Sequence, residues 1–228
     1  MKTNKWVCAF AGFLLLTAIL LQVIDSCCFM RSFYVSEYTK NKTAETIGMS
    51  DEVLMETTEE LLDYLKDKRQ DLVVYGEVNS VEREIFDARE KRHMVDVKEL
   101  YQNAMKVKWA AFVISVALFA AMVLLHKGSL YENLRDGVRY GGLLLGMFTA
   151  FILIWAVADF NGFWMQFHYL LFDNDLFLLN PNTEILINMV PETFFFDLVT
   201  RIIVVFFAII ALLAAGLFVM GKRQRNAA

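Results

Sequence analysis

Four long apolar stretches interrupt an otherwise charged chain, and they decide its structural class. A helix needs about 20 consecutive apolar residues to cross a hydrocarbon core of about 30 Å. The stretches that approach this length are residues 6–24, 109–125, 140–158 and 200–220. The pattern therefore predicts an all-α, polytopic membrane protein with four transmembrane helices.

The first stretch has two alternative interpretations. Lys2 and Lys5 precede it, as in a signal peptide, but the run is longer than a usual signal-peptide core and lacks a small-x-small cleavage site. The residues before Cys27 faintly resemble a bacterial lipoprotein cleavage site, although Asp25 fits that pattern poorly. We therefore interpret residues 6–24 as a retained membrane helix.

The long segment 25–108 is too charged to be buried in a membrane, and it predicts a helical domain between the first two spans. An N-terminal capping signal at Ser50 and leucines at helical spacing predict a helix over 49–66. A short extended piece is expected at 72–75. Apolar positions from Val81 onward are compatible with a further helix that runs toward the second span.

The segment 159–199, between the third and fourth spans, is predicted to form an aromatic-rich loop. Its aromatic residues include Phe160, Phe163, Trp164, Phe167, Tyr169, Phe172, Phe177, Phe194, Phe195 and Phe196. Such residues often form a belt at the membrane interface. Their density here also suits a pocket for lipid chains.

Basic residues near the helix ends predict the orientation, because short cytoplasmic segments of membrane proteins are enriched in Lys and Arg. The basic residues of the short segments 1–5, 126–139 and 221–228 are Lys2, Lys5, Lys127, Arg135, Arg139, Lys222, Arg223 and Arg225. The segment 159–199 has six acidic residues and no Lys or Arg. We therefore expect both termini and 126–139 in the cytoplasm, with 25–108 and 159–199 on the outer face.

Charge and cysteine content narrow the function. The formal net charge of −4 provides no general basic surface, which excludes nucleic acid as a partner. Cys27 and Cys28 are adjacent, where a disulfide would be strained, and Cys8 lies inside the first span. We interpret all three cysteines as structural.

Two of the three histidines are candidates for proton transfer. His126 lies on the predicted cytoplasmic side, where a role at a helix end suffices, whereas His93 and His168 fall in the two outer segments. A helix would place Asp96 one turn from His93, and Asp173 follows His168. Imidazole titrates near neutral pH, so His93 and His168 are candidate catalytic residues. The alternative is that each is only a hydrogen-bonded interfacial side chain.

Three kinds of chemistry compete for these residues. A metal site could use His93, Asp96 and His168, but no HExxH motif is present and only two histidines are usable. A serine hydrolase would need a nucleophile elbow, and the His168 to Asp173 spacing resembles glycerolipid acyltransferases only weakly, on the opposite predicted side. Base-assisted acyl transfer at the membrane surface is the third. We predict no metal.

Three motifs resemble those of a known family. They are Arg92-His93-Met94-x-Asp96-Val97-Lys98, Phe167-His168-x-x-x-Phe172-Asp173-Asn174, and Leu179-Asn180-Pro181 through Phe194-Phe195. In combination they resemble the lipoprotein intramolecular transacylase family of low-GC Gram-positive bacteria, and the likeness extends over essentially the whole chain. A tryptophan expected shortly after Asp173-Asn174 is replaced here by Leu176 or Phe177.

The resemblance implies an O-to-N acyltransferase of the bacterial cytoplasmic membrane. Such an enzyme moves the sn-2 acyl chain of a diacylglyceryl-cysteine lipoprotein to the α-amino group of the same cysteine, giving a lyso-form lipoprotein. Its partners are lipoproteins and membrane lipid, and no cofactor is needed because exchange of an ester for an amide is downhill. The residues implied are His93 and His168 as general acid and base, and Tyr34, Tyr38, Arg92, Asp96, Asp173 and Asn174 as substrate-binding or orienting groups. No oligomeric state is indicated.

A non-enzymatic protein is the alternative. A membrane scaffold or sensor that binds lipoproteins or lipids through the outer segments would use the same amphipathic helices and aromatic residues. Activity that survives the loss of both outer histidines would favour this alternative.

Overall fold

The computed structural model describes residues 5–126 and 129–227, so Lys2 and Lys127, which contribute to the predicted orientation, lie outside the described residues. Its helices are α1 (Lys5–Cys28), α2 (Arg31–Asn41), α3 (Thr43–Ile47), α4 (Asp51–Leu65), α5 (Ala88–His126), α6 (Leu130–Ala158), α7 (Phe160–Leu171), α8 (Leu186–Met189) and α9 (Glu192–Ala227). Two short strands, β1 (Tyr75–Val78) and β2 (Val81–Glu84), lie between α4 and α5.

Within the described residues, four helices are long and apolar enough to cross a membrane. They are Lys5–Cys28, Ala88–Leu125, Leu130–Ala158 and Glu192–Asn226. These helices contain the four stretches that the sequence predicted, so the chain is a multi-pass helical membrane protein. Large apolar side chains on them, such as Leu124, Leu143 and Phe218, are exposed. Lipid would cover such a surface.

The chain divides into two compact units. The span unit comprises Met1–Ser26, Met105–Ala158 and Val199–Ala228. The histidine unit comprises Cys27–Ala104 and Asp159–Leu198, and it contains both candidate histidines.

Within the span unit, α1 and α6 approach closely at glycine residues. A Cβ atom on Gly12 would lie 2.1 Å from the carbonyl oxygen of Gly137, and one on Gly141 would lie 2.3 Å from the backbone nitrogen of Phe13. Small residues at helix interfaces let backbones meet in a membrane, where van der Waals packing holds helices together. A buried cluster of Cys8, Ala11, Phe119 and Met122 also lies in this unit.

Helix α4 of the histidine unit begins where its capping signal predicted. The Ser50 hydroxyl accepts a hydrogen bond from the backbone N–H of Val53 at 3.1 Å, which satisfies one donor of the first turn. The helix spans Asp51–Leu65, within two residues of the prediction at each end. Its buried face contains Leu54, Thr57, Thr58, Leu61 and Tyr64.

The helix expected from Val81 onward begins only at Ala88, which corrects that prediction. Val81 instead starts β2, which pairs antiparallel with β1, and only Tyr75 of the extended piece expected at 72–75 lies in a strand. Asn79 and Ser80 have φ of 52° and 63°, as a tight hairpin turn of two left-handed residues requires. A turn of this kind ends any helical run through these positions.

The segment predicted as an aromatic-rich loop contains α7, α8 and the start of α9. The Asp159 carboxylate caps α7 by accepting a hydrogen bond from the Gly162 N–H at 2.9 Å. At the other end, the N–H of Phe172 donates to the carbonyl oxygen of His168 at 2.9 Å. His168 therefore lies in the last turn of α7, directly before an irregular segment that leads to α8.

Candidate active site

The first turn of α5 is fixed by a capping box. The Asp87 carboxylate accepts hydrogen bonds from the N–H groups of Arg89 and Glu90, at 2.7 and 2.8 Å. The Glu90 carboxylate returns the bond by accepting from the Asp87 N–H at 2.7 Å. Such reciprocal bonding satisfies donors that a helix start otherwise leaves open. It defines the position of His93 one turn farther along.

His93 is buried and makes no hydrogen bond within the described part of the chain. Its side chain is only 7% exposed, and its Nδ1 atom is buried without a partner. Phe172 packs its ring edge-to-face against the imidazole, with 5.4 Å between ring centroids. A buried polar atom without a partner is costly, so an unpaired nitrogen here is suited to a group that arrives with a substrate.

His168 is held in one tautomer by its own helix. Its Nδ1 lies 2.8 Å from the carbonyl oxygen of Trp164. Because a carbonyl oxygen only accepts, Nδ1 carries the proton and Nε2 keeps its lone pair in the neutral ring. Phe177 stacks on the imidazole at 4.8 Å and 26°, and the Trp164 ring meets it edge-on at 4.8 Å.

The two imidazoles lie next to each other. Their ring centroids are 6.1 Å apart with an angle of 36° between the planes. Phe172 contacts both rings, at 5.4 Å from His93 and 5.8 Å from His168. This arrangement brings both candidate bases within reach of a single substrate group. The rings of Phe172, Phe177 and Trp164 pack around them and form an aromatic enclosure.

Burial keeps both histidines uncharged at neutral pH. Desolvation lowers the pKa of His93 to about 4, assisted by nearby His168 and Arg89 and opposed by Asp96. Desolvation also lowers the pKa of His168, and its hydrogen bond to the Trp164 carbonyl opposes that effect. Neutral imidazoles can take a proton at one nitrogen and donate a hydrogen bond from the other.

Asp96 and Asn174 join the two histidine-bearing segments. The Asn174 amide donates to an Asp96 carboxylate oxygen at 2.9 Å, while its own oxygen accepts from the Leu176 N–H at 3.0 Å. Asp96 also acts electrostatically on His93. The structure therefore brings these two predicted residues together beside the histidine pair.

Two other predicted residues are placed differently. Arg92 is exposed, and its Nε donates to the carbonyl oxygen of Ala88 at 3.2 Å. Asp173 is exposed as well, and it makes no hydrogen bond or ion pair with the residues that the structure describes. Neither side chain hydrogen-bonds to either imidazole among the described residues.

Tyr34 and Tyr38 belong to a buried aromatic cluster. The Tyr34 hydroxyl donates to the carbonyl oxygen of Cys28 at 2.8 Å, and the Tyr38 hydroxyl shares a hydrogen bond with Thr58 at 2.7 Å. Burial raises the pKa of Tyr34 well above its ordinary value and that of Tyr38 to about 12. Both phenols are therefore neutral, with their hydroxyls already bonded within the histidine unit.

Aromatic contacts connect this cluster to the histidines. Tyr34 packs on Phe194 at 5.2 Å, and Phe194 meets Phe195 at 5.5 Å. Phe195 stacks on Trp164 at 4.2 Å, and Trp164 contacts His168. The aromatic residues of 159–199 thus supply the rings of the aromatic enclosure.

Sequence reasoning missed three charged residues near the pair. Glu90 is 1% exposed, and its second oxygen accepts from the Leu186 N–H at 2.6 Å. Arg89 hydrogen-bonds to the carbonyl oxygen of Asp175 and lies 3.9 Å from the carboxylate of buried Glu184. The Asp-x-x-Glu spacing of the capping box was a readable signal for Glu90, whereas nothing in the sequence indicates the contacts to Asp175, Glu184 and Leu186.

The chemistry of the site is that of imidazole and aromatic groups. Over residues 5–126 and 129–227, no three side chains of His, Cys, Asp or Glu are grouped so that they could hold a metal ion. None of the three cysteines forms a disulfide bond within this described part of the chain. What the geometry offers is proton transfer and hydrogen bonding to a substrate in an apolar environment.

Comparisons with known proteins agree on one family. A model of the family "lipoprotein intramolecular transacylase Lit" matches residues 9–195. A solved structure of the membrane integral lipoprotein intramolecular transacylase Lit from Bacillus cereus superposes with a TM-score of 0.81 at 18% identity, over 97% of each chain. No curated protein sequence matches.

Two further structures of the Bacillus cereus protein carry a substitution of one histidine. The arginine variant gives a TM-score of 0.79 at 18% identity, over 98% of this chain and 94% of that one. The alanine variant gives 0.78 at 18% identity, over 97% and 95%. Similarity at this level of identity establishes a shared fold.

Proposed function

Since this chain belongs to the lipoprotein intramolecular transacylase family, we propose that it moves the sn-2 acyl chain of a diacylglyceryl-cysteine lipoprotein to the α-amino group of the same cysteine. The observation that carries the proposal is the pair of imidazoles, that of His93 buried and that of His168 half-buried, with ring centroids 6.1 Å apart among aromatic side chains of a multi-pass membrane protein. The product is a lyso-form lipoprotein with an N-acyl group and a monoacylglyceryl thioether.

The proposed location is a bacterial cytoplasmic membrane with the site on its outer face. The short segments 126–139 and 221–228 are basic, and 159–199 has no Lys or Arg. Both termini are therefore assigned to the cytoplasm. The histidine unit would then face the leaflet that holds the lipid anchor of an exported lipoprotein.

The reaction replaces the ester C–O bond at the acyl carbonyl carbon with an amide C–N bond. The α-ammonium group first loses a proton, and the neutral nitrogen attacks the carbonyl carbon of the sn-2 ester. A C–N bond forms, the bond to the glyceryl oxygen breaks, and that oxygen leaves with a proton as a free hydroxyl. No cofactor takes part, because one ester and one amine become one amide and one alcohol.

We assign His168 as the general base. Its Nδ1–H is held by the Trp164 carbonyl, which leaves the Nε2 lone pair free and stabilises the charged ring after proton uptake. The α-amino group of a polypeptide has a pKa of about 7.7–8.0, so about a tenth of it is already neutral at pH 7. The base completes the deprotonation as the C–N bond forms.

We assign His93 as the donor to the ester. With a pKa of about 4 it is neutral at pH 7 and has no hydrogen-bond partner of its own among the described residues. A neutral imidazole N–H can stabilise the negative charge that develops on the carbonyl oxygen, while the His168 imidazolium returns the proton that it took from the amine to the departing glyceryl oxygen. A transient acyl-imidazole on either ring is an alternative route to the same product.

The remaining residues have supporting roles in this proposal. Asp96 and Asn174 orient the two histidine-bearing segments through their shared hydrogen bond, and Tyr34 and Tyr38 support the aromatic side chains through Phe194. The exposed side chains of Arg92 and Asp173 are assigned to contacts with the polar part of the substrate. These contacts matter for binding more than for the chemical step.

The test is mass spectrometry of the N-terminal lipopeptide of a lipoprotein from cells with and without this protein. The expected result is an N-acyl, monoacylglyceryl cysteine that appears only with the unmodified protein. Alanine at His93 or His168 should abolish it, while the exposed Glu99→Gln on the same helix α5 should have no effect. Diacylglyceryl cysteine with a free amine in every strain would overturn the proposal and favour the scaffold or sensor.

The pH dependence of the rate loss in His93 and His168 variants distinguishes the roles of the two histidines. At pH 9 the substrate amine is already neutral, so the rate loss of His168→Gln should shrink, whereas that of His93→Gln should persist. Losses that respond to pH equally in both variants would contradict the assignment. Thermal unfolding of each variant in detergent provides the control for folding.

A further inference from the structure

A buried carboxylate joins two helix starts beside the histidine pair. Glu90 is 1% exposed, and its two oxygens accept from backbone N–H groups of different segments, Asp87 at 2.7 Å and Leu186 at 2.6 Å. The first bond completes the capping box of α5. The second reaches the first residue of α8. Each is a charge-assisted bond in a desolvated place, where such bonds are strong.

The segment that Glu90 holds forms one wall of the aromatic enclosure around the two imidazoles. Between α7 and α8 the chain carries Phe172, which contacts both imidazoles, and Phe177, which stacks on His168. The segment has little regular structure of its own over 172–185. Its position therefore depends on side chains that bind it from outside.

A second contact supports the same wall. Arg89 hydrogen-bonds to the carbonyl oxygen of Asp175, and its Nε lies 3.9 Å from Glu184. Glu184 is buried, and its carboxylate also accepts from the N–H of Asn180. The adjacent residues Arg89 and Glu90 of the first turn of α5 thus bind the segment near its start, at Asp175, and at its end, at Glu184 and Leu186.

We propose that Glu90 is a positioning residue for the histidine pair, whose carboxylate fixes the segment 172–186 to the start of α5 and keeps both imidazoles enclosed. The proposal rests on the proposed transacylase function for its kinetic consequence, but the enclosure itself is a structural property. Glu90 touches neither imidazole nor substrate in this scheme. It acts through Leu186 and the aromatic wall.

Substitution at Glu90 should open the aromatic enclosure to water. Glutamine keeps the volume and one acceptor oxygen but presents an amide N–H₂ to the other donor, whereas alanine loses both bonds. We expect Glu90→Ala to lower the transacylation rate constant by about 100-fold, because small misplacements of reacting groups cost that much. Glu90→Gln should have a smaller effect in the same direction.

The pH dependence of the rate distinguishes positioning from a general structural role. His93 faces His168 on α7 and, on its own helix, Arg89 and Asp96, and burial is the main cause of its low pKa. If water reaches the ring, its pKa rises toward the ordinary value of about 6.5. The ratio of the rate at pH 6 to that at pH 8 should then fall by about fourfold relative to the unmodified protein, since the substrate amine titrates equally in both.

The experiment measures single-turnover rates with a diacylglyceryl-cysteine lipopeptide in detergent at pH 6 and 8. Glu99→Gln on the exposed side of α5 is the matched control and should keep both the rate and the ratio. Glu184→Gln weakens the contact between Arg89 and the segment 172–186 but leaves the capping box intact. If a Glu90 variant does not fold, the pH 6 to pH 8 rate ratio of Glu184→Gln provides the test instead. A normal ratio in Glu90→Gln and Glu184→Gln alike would overturn the proposal.

A readout without catalysis separates this proposal from the proposed function. The histidine ring protons can be titrated by NMR whether or not the protein has activity. The pKa of His93 should rise in Glu90→Gln and stay low in Glu99→Gln. A rise without any transacylation would support the enclosure and reject the function, whereas unchanged titration would reject the enclosure alone.

Discussion

Acid should destabilise this protein through His93, and a glutamine at that position should remove much of the effect. The folded protein keeps the ring neutral because burial lowers its pKa to about 4. An unfolded chain has a histidine pKa of about 6.5. Between these values the unfolded state binds the proton and the folded state does not, so the free energy of unfolding falls as the pH falls.

The size of the effect follows from the two pKa values. A pKa difference of about 2.5 corresponds to about 3.4 kcal/mol, fully lost only below pH 4. At pH 5.0 the loss relative to pH 7.5 is about 2 kcal/mol. The lowered pKa of His168 acts in the same direction, and the raised pKa of Glu90 acts in the opposite one. Comparison with His93→Gln isolates the contribution of His93.

The assay is equilibrium unfolding by urea in detergent micelles at pH 7.5 and 5.0. The unmodified protein should lose about 2 kcal/mol more than His93→Gln on acidification. Glu99→Gln, which leaves the surroundings of His93 intact, should behave as the unmodified protein. An equal loss in the unmodified protein and in His93→Gln would mean that the ring titrates normally in the folded state, and the argument from burial would be refuted.

Two further predictions concern the glycine contact and the cation near the pair. Gly12→Ala should lower the free energy of unfolding by about 1–3 kcal/mol, because its Cβ would lie 2.1 Å from the Gly137 carbonyl oxygen. Gly146→Ala is the control and should not destabilise the protein, because its Cβ would meet nothing within 4 Å. Thermal unfolding in detergent measures both variants. Arg89→Met removes a charge that lowers the pKa of His93, so the acid limb of the rate profile should move to higher pH, and Arg89→Lys should largely restore it. An unmoved acid limb in Arg89→Met would count against the electrostatic coupling.

Local signals in the sequence predicted the elements that depend on neighbouring residues. Residues 6–24 are apolar enough to specify a span without tertiary contacts, and the Ser50 hydroxyl caps α4 within its own first turn. The error after Val81 has the same origin. The apolar spacing there is compatible with a helix, but Asn79 and Ser80 adopt left-handed conformations that form a hairpin turn instead.

The candidate site is formed by contacts between residues that are distant in the sequence, and the sequence alone does not specify such contacts. His93 and His168 were selected because few histidines exist, but their 6.1 Å separation is a product of the fold. Glu90 was not selected, since its bond to Leu186 joins segments with no common pattern. Tyr34 was expected to bind or orient the substrate, yet its hydroxyl is bonded to the Cys28 carbonyl.

The two histidines share aromatic neighbours, but their environments are not equivalent. Burial that lowers the pKa of His93 to about 4 makes it a poor base for an amine with a pKa near 8, because the transfer is uphill by about 5 kcal/mol. His168 has the Trp164 carbonyl to stabilise its charged form, and His93 has no such partner among the described residues. Because His93 has no such partner there, its ring nitrogens are available to hydrogen-bond to an ester. In the proposed mechanism His168 is therefore the base, because a hydrogen bond stabilises its charged form, and His93 is the hydrogen-bond donor, because it has no such bond.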